Sequence, residues 1–317
     1  MPVLSSEEIL RRAREAAKML AHCELCPRSC GVDRASGELG FCSAGPQPEV
    51  ASVLPHFGEE PPLTVKGGAG TVFFSGCNMR CVYCQNHQIS QGGMGNPVTP
   101  QRLAQEMLGL QKQGCSNLEP VSPSHHLPGL LEAVSQAVEN GLRLPIVYNT
   151  NGYESTETLA LLDGVVDVYL PDLKYSSAAE ASVYSATPDY VDAARAAILR
   201  MYSQVGNLVL DVEGRAERGL IIRHLVLPNN IAATRDTLMW LSDNLPRDIT
   251  LSLMAQYIPL HKSNDFPLLS RLITTEEYEE VIDYAWSLGF ENVFIQDMSS
   301  QEIGVPDFGL DQPFDWS

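Results

Sequence analysis

Nowhere in the 317 residues do about 18 apolar residues run together, so the chain offers no candidate membrane span. A block of Lys and Arg is also missing. With 21 Lys and Arg against 39 Asp and Glu, the formal net charge is −18. So acidic a chain repels phosphate backbones, which argues against a nucleic-acid partner. The opening MPVLSSEEILRRAREAAKML reads as a charged amphipathic helix and lacks the apolar heart of a secretory signal. No internal repeat or low-complexity tract is visible. These absences predict a cytoplasmic globular protein with a soluble, acidic surface.

What is present is cysteine, in clusters. The eight cysteines form a group of four, a group of three and a singleton. In a reducing compartment clustered thiols bind metal more often than they pair. The first group, CELCPRSCGVDRASGELGFC (23–42), has the spacing C-x2-C-x3-C-x11-C. Cys23, Cys26, Cys30 and Cys42 can close a complete tetrahedral thiolate set, as zinc or an iron–sulfur cluster requires. Residues 22–48 show little hydrophobic periodicity, so the metal would have to hold this segment together. The second group lies in SGCNMRCVYCQN (75–86): Cys77, Cys81 and Cys84. Three is an odd number that disulfides cannot use up. Structural zinc wants four ligands, whereas a four-iron cubane held by three thiolates keeps one iron open. A zinc site completed by a distant ligand is the alternative. Cys115 matches no ligand spacing and is expected to be a small buried thiol.

From residue 71 the pattern becomes strand–helix alternation. Apolar strands are expected at 71–75, 118–122, 144–150, 166–174, 221–228, 249–255 and 292–297, with helices between them. Such alternation argues for a parallel sheet whose ligands bind beyond the carboxyl ends of the strands. Polar residues stand at those ends: Cys77, Ser122 to His126, Asn149 to Asn151, Asp172, Lys174 and Asn229. The expected division is 1–62, with an N-terminal helix, the four-cysteine segment and a connector, then a core over 63–317 with a C-terminal tail.

The loop GCNMRCVYCQN after an apolar strand, with Tyr83 before its last cysteine, resembles the cluster loop of the radical S-adenosylmethionine (SAM) superfamily. Its longer match is similar to the glycyl-radical-enzyme activases, of which the pyruvate formate-lyase activating enzyme is the best known. The four-cysteine segment, HFGEEP (56–61) and SPSHHLP (122–128) extend the resemblance to an activase-like subfamily, which brings no substrate with it. The fold it implies is α/β, a partial (β/α)6 TIM-type barrel with a small Cys-rich N-terminal extension. The cofactors it implies are a [4Fe–4S] cluster on Cys77, Cys81 and Cys84, and SAM on the open iron. Reductive cleavage of SAM would yield a 5′-deoxyadenosyl radical that takes hydrogen from a protein or small-molecule substrate. A glycine of a partner enzyme is the most specific version, and flavodoxin or ferredoxin a suitable electron donor.

The resemblance also points to SAM-contact residues. Tyr83 belongs to the loop, and Ser122 and Ser124 in LEPVSPSHH (118–126) stand where the family usually carries a diglycine. Asn151 in YNTNGY (148–153) is placed to meet a ribose, with Asn149 replacing the family's acid. Asp172 and Lys174 in LPDLKY (170–175) should both face the barrel interior, because alternate strand residues share a face. His224 in IIRHLVLP (221–228) completes the set, and Gln256 and Tyr257 are candidates for the cavity mouth. The contrasting class is a non-catalytic iron–sulfur or zinc protein that carries electrons or scaffolds a complex.

Overall fold

Ser5 accepts a hydrogen bond from the Glu8 amide and so starts helix α1 (Ser6–Lys18). Apolar residues at helical spacing then bury Ile9, Ala13 and Ala16, and α1 packs on α4 (Leu127–Glu139). The computed structural model describes residues 3–302 and 305–315.

Among the described residues ten strands form the sheet system: β1 (Glu49–His56), β2 (Ala69–Phe74), β3 (Asn96–Pro97), β4 (Leu118–Val121), β5 (Val147–Thr150), β6 (Val168–Pro171), β7 (Val209–Leu210), β8 (Ala216–Leu225), β9 (Thr250–Met254) and β10 (Asn292–Ile295). Their order is β10-β9-β8-β6-β5-β4-β2-β1-β3, with β7 off the path beside β8. Every pairing from β2 to β10 along that path is parallel. The short α2 (His87–Ser90) follows the second cysteine group, and α3 (Pro100–Gln113), α4, α5 (Thr156–Leu162), α6 (Ala178–Ser185), α7 (Tyr190–Val205), α8 (Thr234–Asn244) and α9 (Thr275–Ser287) fill the crossovers. Such burial on both faces explains why β2, AGTVFF, is buried throughout. The architecture is the expected partial barrel, lengthened at its open edge by the short, half-exposed β10.

One segment departs from expectation. Residues 49–70 read as a connector, yet Glu49–His56 forms an eight-residue strand antiparallel to β2. The chain then turns inward, and Pro61–Leu63 makes one turn of 3-10 helix. Leu63 is fully buried with Val147, Val168, Leu170, Ala216 and Ile221. These residues come largely from the beginnings of strands, so Leu63 plugs the amino end of the barrel. Burying such a side chain contributes roughly 1.5–3 kcal/mol, and the Asn117 amide secures the Leu63 carbonyl at 2.9 Å. Two prolines and two glutamates within eight residues hid this plug from hydrophobic patterning. Among the described residues no helix is long and apolar enough to cross a membrane.

Candidate active site

Strand β2 delivers the chain through Ser75 and Gly76 into the three-cysteine loop. Gly76 has φ +79°, and a Cβ there would stand 2.5 Å from the Cys42 carbonyl and 3.2 Å from the His125 ring. Only glycine fits both the backbone and the space. His125 and His126 each donate Nε2–H to the Ser75 carbonyl, at 2.7 and 2.9 Å. The amides of Arg80 and Val82 bond the carbonyls of Ser185 and Tyr184, tying the loop to the end of α6.

Each sulfur meets a polar neighbour. Asn151 Nδ2 approaches Cys77 Sγ at 3.5 Å, the Ser185 hydroxyl donates to Cys81 Sγ at 3.1 Å, and Cys84 Sγ lies 3.2 Å from Ser90 Oγ. All eight cysteines are free. Burial pushes the Cys77 thiol up to about 11 and Cys84 up to about 12, with Cys81 adding to both. A metal centre would have to displace those protons.

The three cysteines line one cavity of about 490 Å³, within the range that holds a cofactor or drug-sized ligand. Its walls carry Phe73, Phe74, Met79, Ile89 and Tyr257. At the strand ends Lys174 Nζ meets Asp172 at 2.5 Å. Arg223 donates to Asp172 Oδ1 at 2.9 Å, Asn149 Oδ1 at 2.6 Å and Glu59 Oε2 at 3.1 Å. Burial alone would raise Asp172, but Arg223 and Lys174 outweigh it and hold the carboxyl below its ordinary range. Lys174 stays charged because Asp172 and Cys81 overcome the burial that would lower it.

Of the residues expected to contact SAM, Tyr83, Ser122, Asn151, Asp172 and Lys174 all line this cavity with the three cysteines. The Tyr83 hydroxyl is turned to Tyr175 at 2.7 Å, and Tyr175 reaches Ser185 at 2.8 Å, forming a chain to Cys81. Ser124 and His224 do not come to the cavity. Ser124 donates to Glu154, which also accepts from Thr150. His224 is held by the Leu173 carbonyl at 2.6 Å and Thr234 Oγ1 at 2.8 Å. Its neighbour Arg223 takes the inward face instead, since successive strand residues point to opposite sides. Asn229 is exposed and bonds Leu268. Sequence reasoning missed Arg223, Glu59 and Glu60 as lining residues; Arg223 is set opposite Asp172 by a bridge between strands that the sequence does not show. Gln256 and Tyr257 line the cavity as expected.

Cys23, Cys26, Cys30 and Cys42 converge on a separate pocket of about 10 Å³, together with Arg28, Arg34, Phe41, Asn78 and His125. Such a space sits at the threshold for one water. Arg34 is 1% exposed and braces the segment by donating to the carbonyls of Ala44, Gly45 and His125. Burial pushes Cys26 up to about 12. Among the described residues no three His, Cys, Asp or Glu side chains close around a point that would hold a single metal ion. For the loop, thiols spread along a wide cavity suit a multi-atom cluster better than one ion. The donor chemistry fits iron–sulfur ligation.

A parallel partial barrel with three loop thiols at the end of its first parallel strand defines a class. The Radical SAM superfamily profile matches residues 71–214. An uncharacterized protein of Methanocaldococcus jannaschii is 31% identical over 289 residues, spanning 88% of this chain and 78% of its own length. The chain belongs to the radical SAM superfamily and is in general class a radical SAM enzyme. Membership brings a [4Fe–4S] cluster and SAM as cofactor and cosubstrate.

Proposed function

We propose that Cys77, Cys81 and Cys84 hold the [4Fe–4S] cluster with one iron left for SAM, and that the enzyme abstracts hydrogen from a substrate in the same cavity. The observation that carries this reading is the shared lining: the three thiols, Asn151, Asp172 and Lys174 border one space. Once bound, the cluster and SAM supply a 5′-deoxyadenosyl radical, which is the cofactor's own chemistry. The chain's residues orient and shield. Asn151 and Ser185 hold Cys77 and Cys81 in place, while Asp172 and Lys174 offer a fixed ion pair to SAM's polar groups. The aromatic wall shields such a reactive species from side reactions before it meets the substrate.

The likeness to glycyl-radical-enzyme activases makes a glycine of a partner enzyme the most specific protein substrate, with flavodoxin or ferredoxin as reductant. Cys23, Cys26, Cys30 and Cys42 hold a second metal in this reading, zinc or an iron–sulfur cluster, in the segment between α1 and β1. Reduced, unpaired thiols fit a cytoplasmic setting. Ser122 stays in the SAM site, whereas Ser124 and His224 serve packing.

Anaerobically reconstituted, reduced protein should convert SAM to 5′-deoxyadenosine. If a reducible cluster sits on the loop and that product never forms, the protein is instead a non-catalytic iron–sulfur protein.

A further inference from the structure

We propose that Glu59 and Glu60, with Glu119 behind Glu59, form the receiving site for the cationic end of a small-molecule substrate, an ammonium or a guanidinium. This rests on the cavity being a radical SAM active site and adds the class of molecule the radical would meet.

The charges inside the barrel do not balance. Four carboxylates, Glu59, Glu60, Glu119 and Asp172, surround two cations, Arg223 and Lys174. Lys174 is committed to Asp172. Arg223 divides itself between Asp172 and Glu59 and gives its remaining bond to Asn149. Glu119 is fully buried and keeps one oxygen on Asn149 Nδ2 at 2.7 Å, while its Oε2 has no partner. Glu60 is 8% exposed, lines the cavity, and its Oε2 also has no partner.

His56 stands 3.5 Å from Glu59 but supplies no charge. Its Nδ1 accepts from the Gly58 amide at 3.4 Å, and burial pushes its pKa down to about 4. A buried carboxylate oxygen without a partner is costly unless it takes a proton or a cation. Burial pushes all three glutamates up, the direction in which protons offset their negative charge. A ligand cation would displace them.

The surroundings define the rest of the molecule. The acidic layer lies between the Leu63 plug and the strand-end residues, since Arg223 pairs with Ser252 in β9 and bridges to Asp172. Ser252, which bonds Glu60, adds polar lining together with Gln256 and Gln296, whereas Phe73, Phe294 and Phe314 offer apolar walls. That combination fits a short apolar stem ending in a cation.

The test is calorimetric titration of the reconstituted protein, with and without SAM, using 1,4-diaminobutane and agmatine as probes. 1,4-Butanediol and butyrate serve as the neutral and anionic comparisons. Both amines should bind saturably and the other two should not. Glu60→Gln should weaken amine binding by about tenfold or more, the loss expected for one buried charge-assisted hydrogen bond. Glu59→Gln, at the other carboxylate that lines the cavity, should shift it in the same direction, and it decides the question if Glu60→Gln does not fold. The proposal is overturned if neither amine binds, if the diol binds as well as the diamine, or if the folded variants keep wild-type amine affinity. Amine binding without 5′-deoxyadenosine formation would remove the radical reading and leave the cationic site. The product without amine binding would remove this site alone.

Discussion

Two cysteine groups less than forty residues apart lie in opposite surroundings. The loop thiols open onto about 490 Å³ of cavity, while the four upstream thiols share a pocket of about 10 Å³. Around the first group the protein supplies hydrogen-bond donors and leaves space. Around the second it supplies arginines and fills the space. Arg28 lies 3.4 Å over the Phe41 ring, and Arg80 lies 4.5 Å from the same ring. The two groups also touch, because Arg28 Nε donates to the Asn78 carbonyl at 2.5 Å and Asn78 follows Cys77 directly. Ligand count alone is thus a poor guide to role. The room left beside the ligands separates a centre that can meet a substrate from one that braces a chain.

The largest effect should come from treating the groups separately. Cys81→Ala should abolish 5′-deoxyadenosine formation, while Cys26→Ala should retain it if the upstream site only braces. Equal loss in both, read by product assay and metal analysis, would erase the distinction. Next is Arg223→Met on the cavity side. Removing the cation from a buried carboxylate cluster should cost about 3–5 kcal/mol in denaturant unfolding, and a loss below about 1 kcal/mol would show those carboxyls already neutral.

Glu154, whose charge reaches Cys26, is pushed up to about 7 by burial, against hydrogen bonds from Ser124 and Thr150. Its folded pKa exceeds the unfolded value of about 4.5, so the folded state binds more protons across that interval. Stability should therefore fall as pH rises from about 4.5 to about 7, by up to roughly 3 kcal/mol. Glu154→Gln should flatten that part of the profile, and an unchanged slope would rule out Glu154 as its source. The smallest effect is at the contact itself. Gly76→Ala, pressed against the Cys42 carbonyl with φ +79°, should cost about 1–3 kcal/mol. Thermal unfolding at the wild-type midpoint would mean the two segments are not in register contact.

Much of the barrel was legible because each parallel strand is a short apolar run between helical patterns. The cysteines, Asn151, Asp172 and Lys174 were legible because a strand end with a polar side chain in such a sheet faces ligand space. For His224 and Ser124 the departure is one of side-chain direction. In Arg223–His224 the titratable histidine drew attention, yet strand parity sends the arginine inward and leaves His224 bonded to Leu173 and Thr234. Ser124 sits beyond the strand, and its hydroxyl is drawn to Glu154. The acids of HFGEEP gained meaning only when the chain turned into the barrel. The proximity of the two cysteine groups is a tertiary contact that no local pattern encodes.

The Leu63 plug makes the barrel a ruler. Pro61 and Phe294 line the cavity, and Leu63 lies among the side chains packed beneath Phe294. Glu60 comes three residues before that anchor, so the depth at which a ligand's charged end can rest is fixed by covalent geometry. Trimming Leu63 to Ala should let the floor settle and move the preferred diamine toward a longer chain. An unchanged length preference would mean that depth is measured elsewhere.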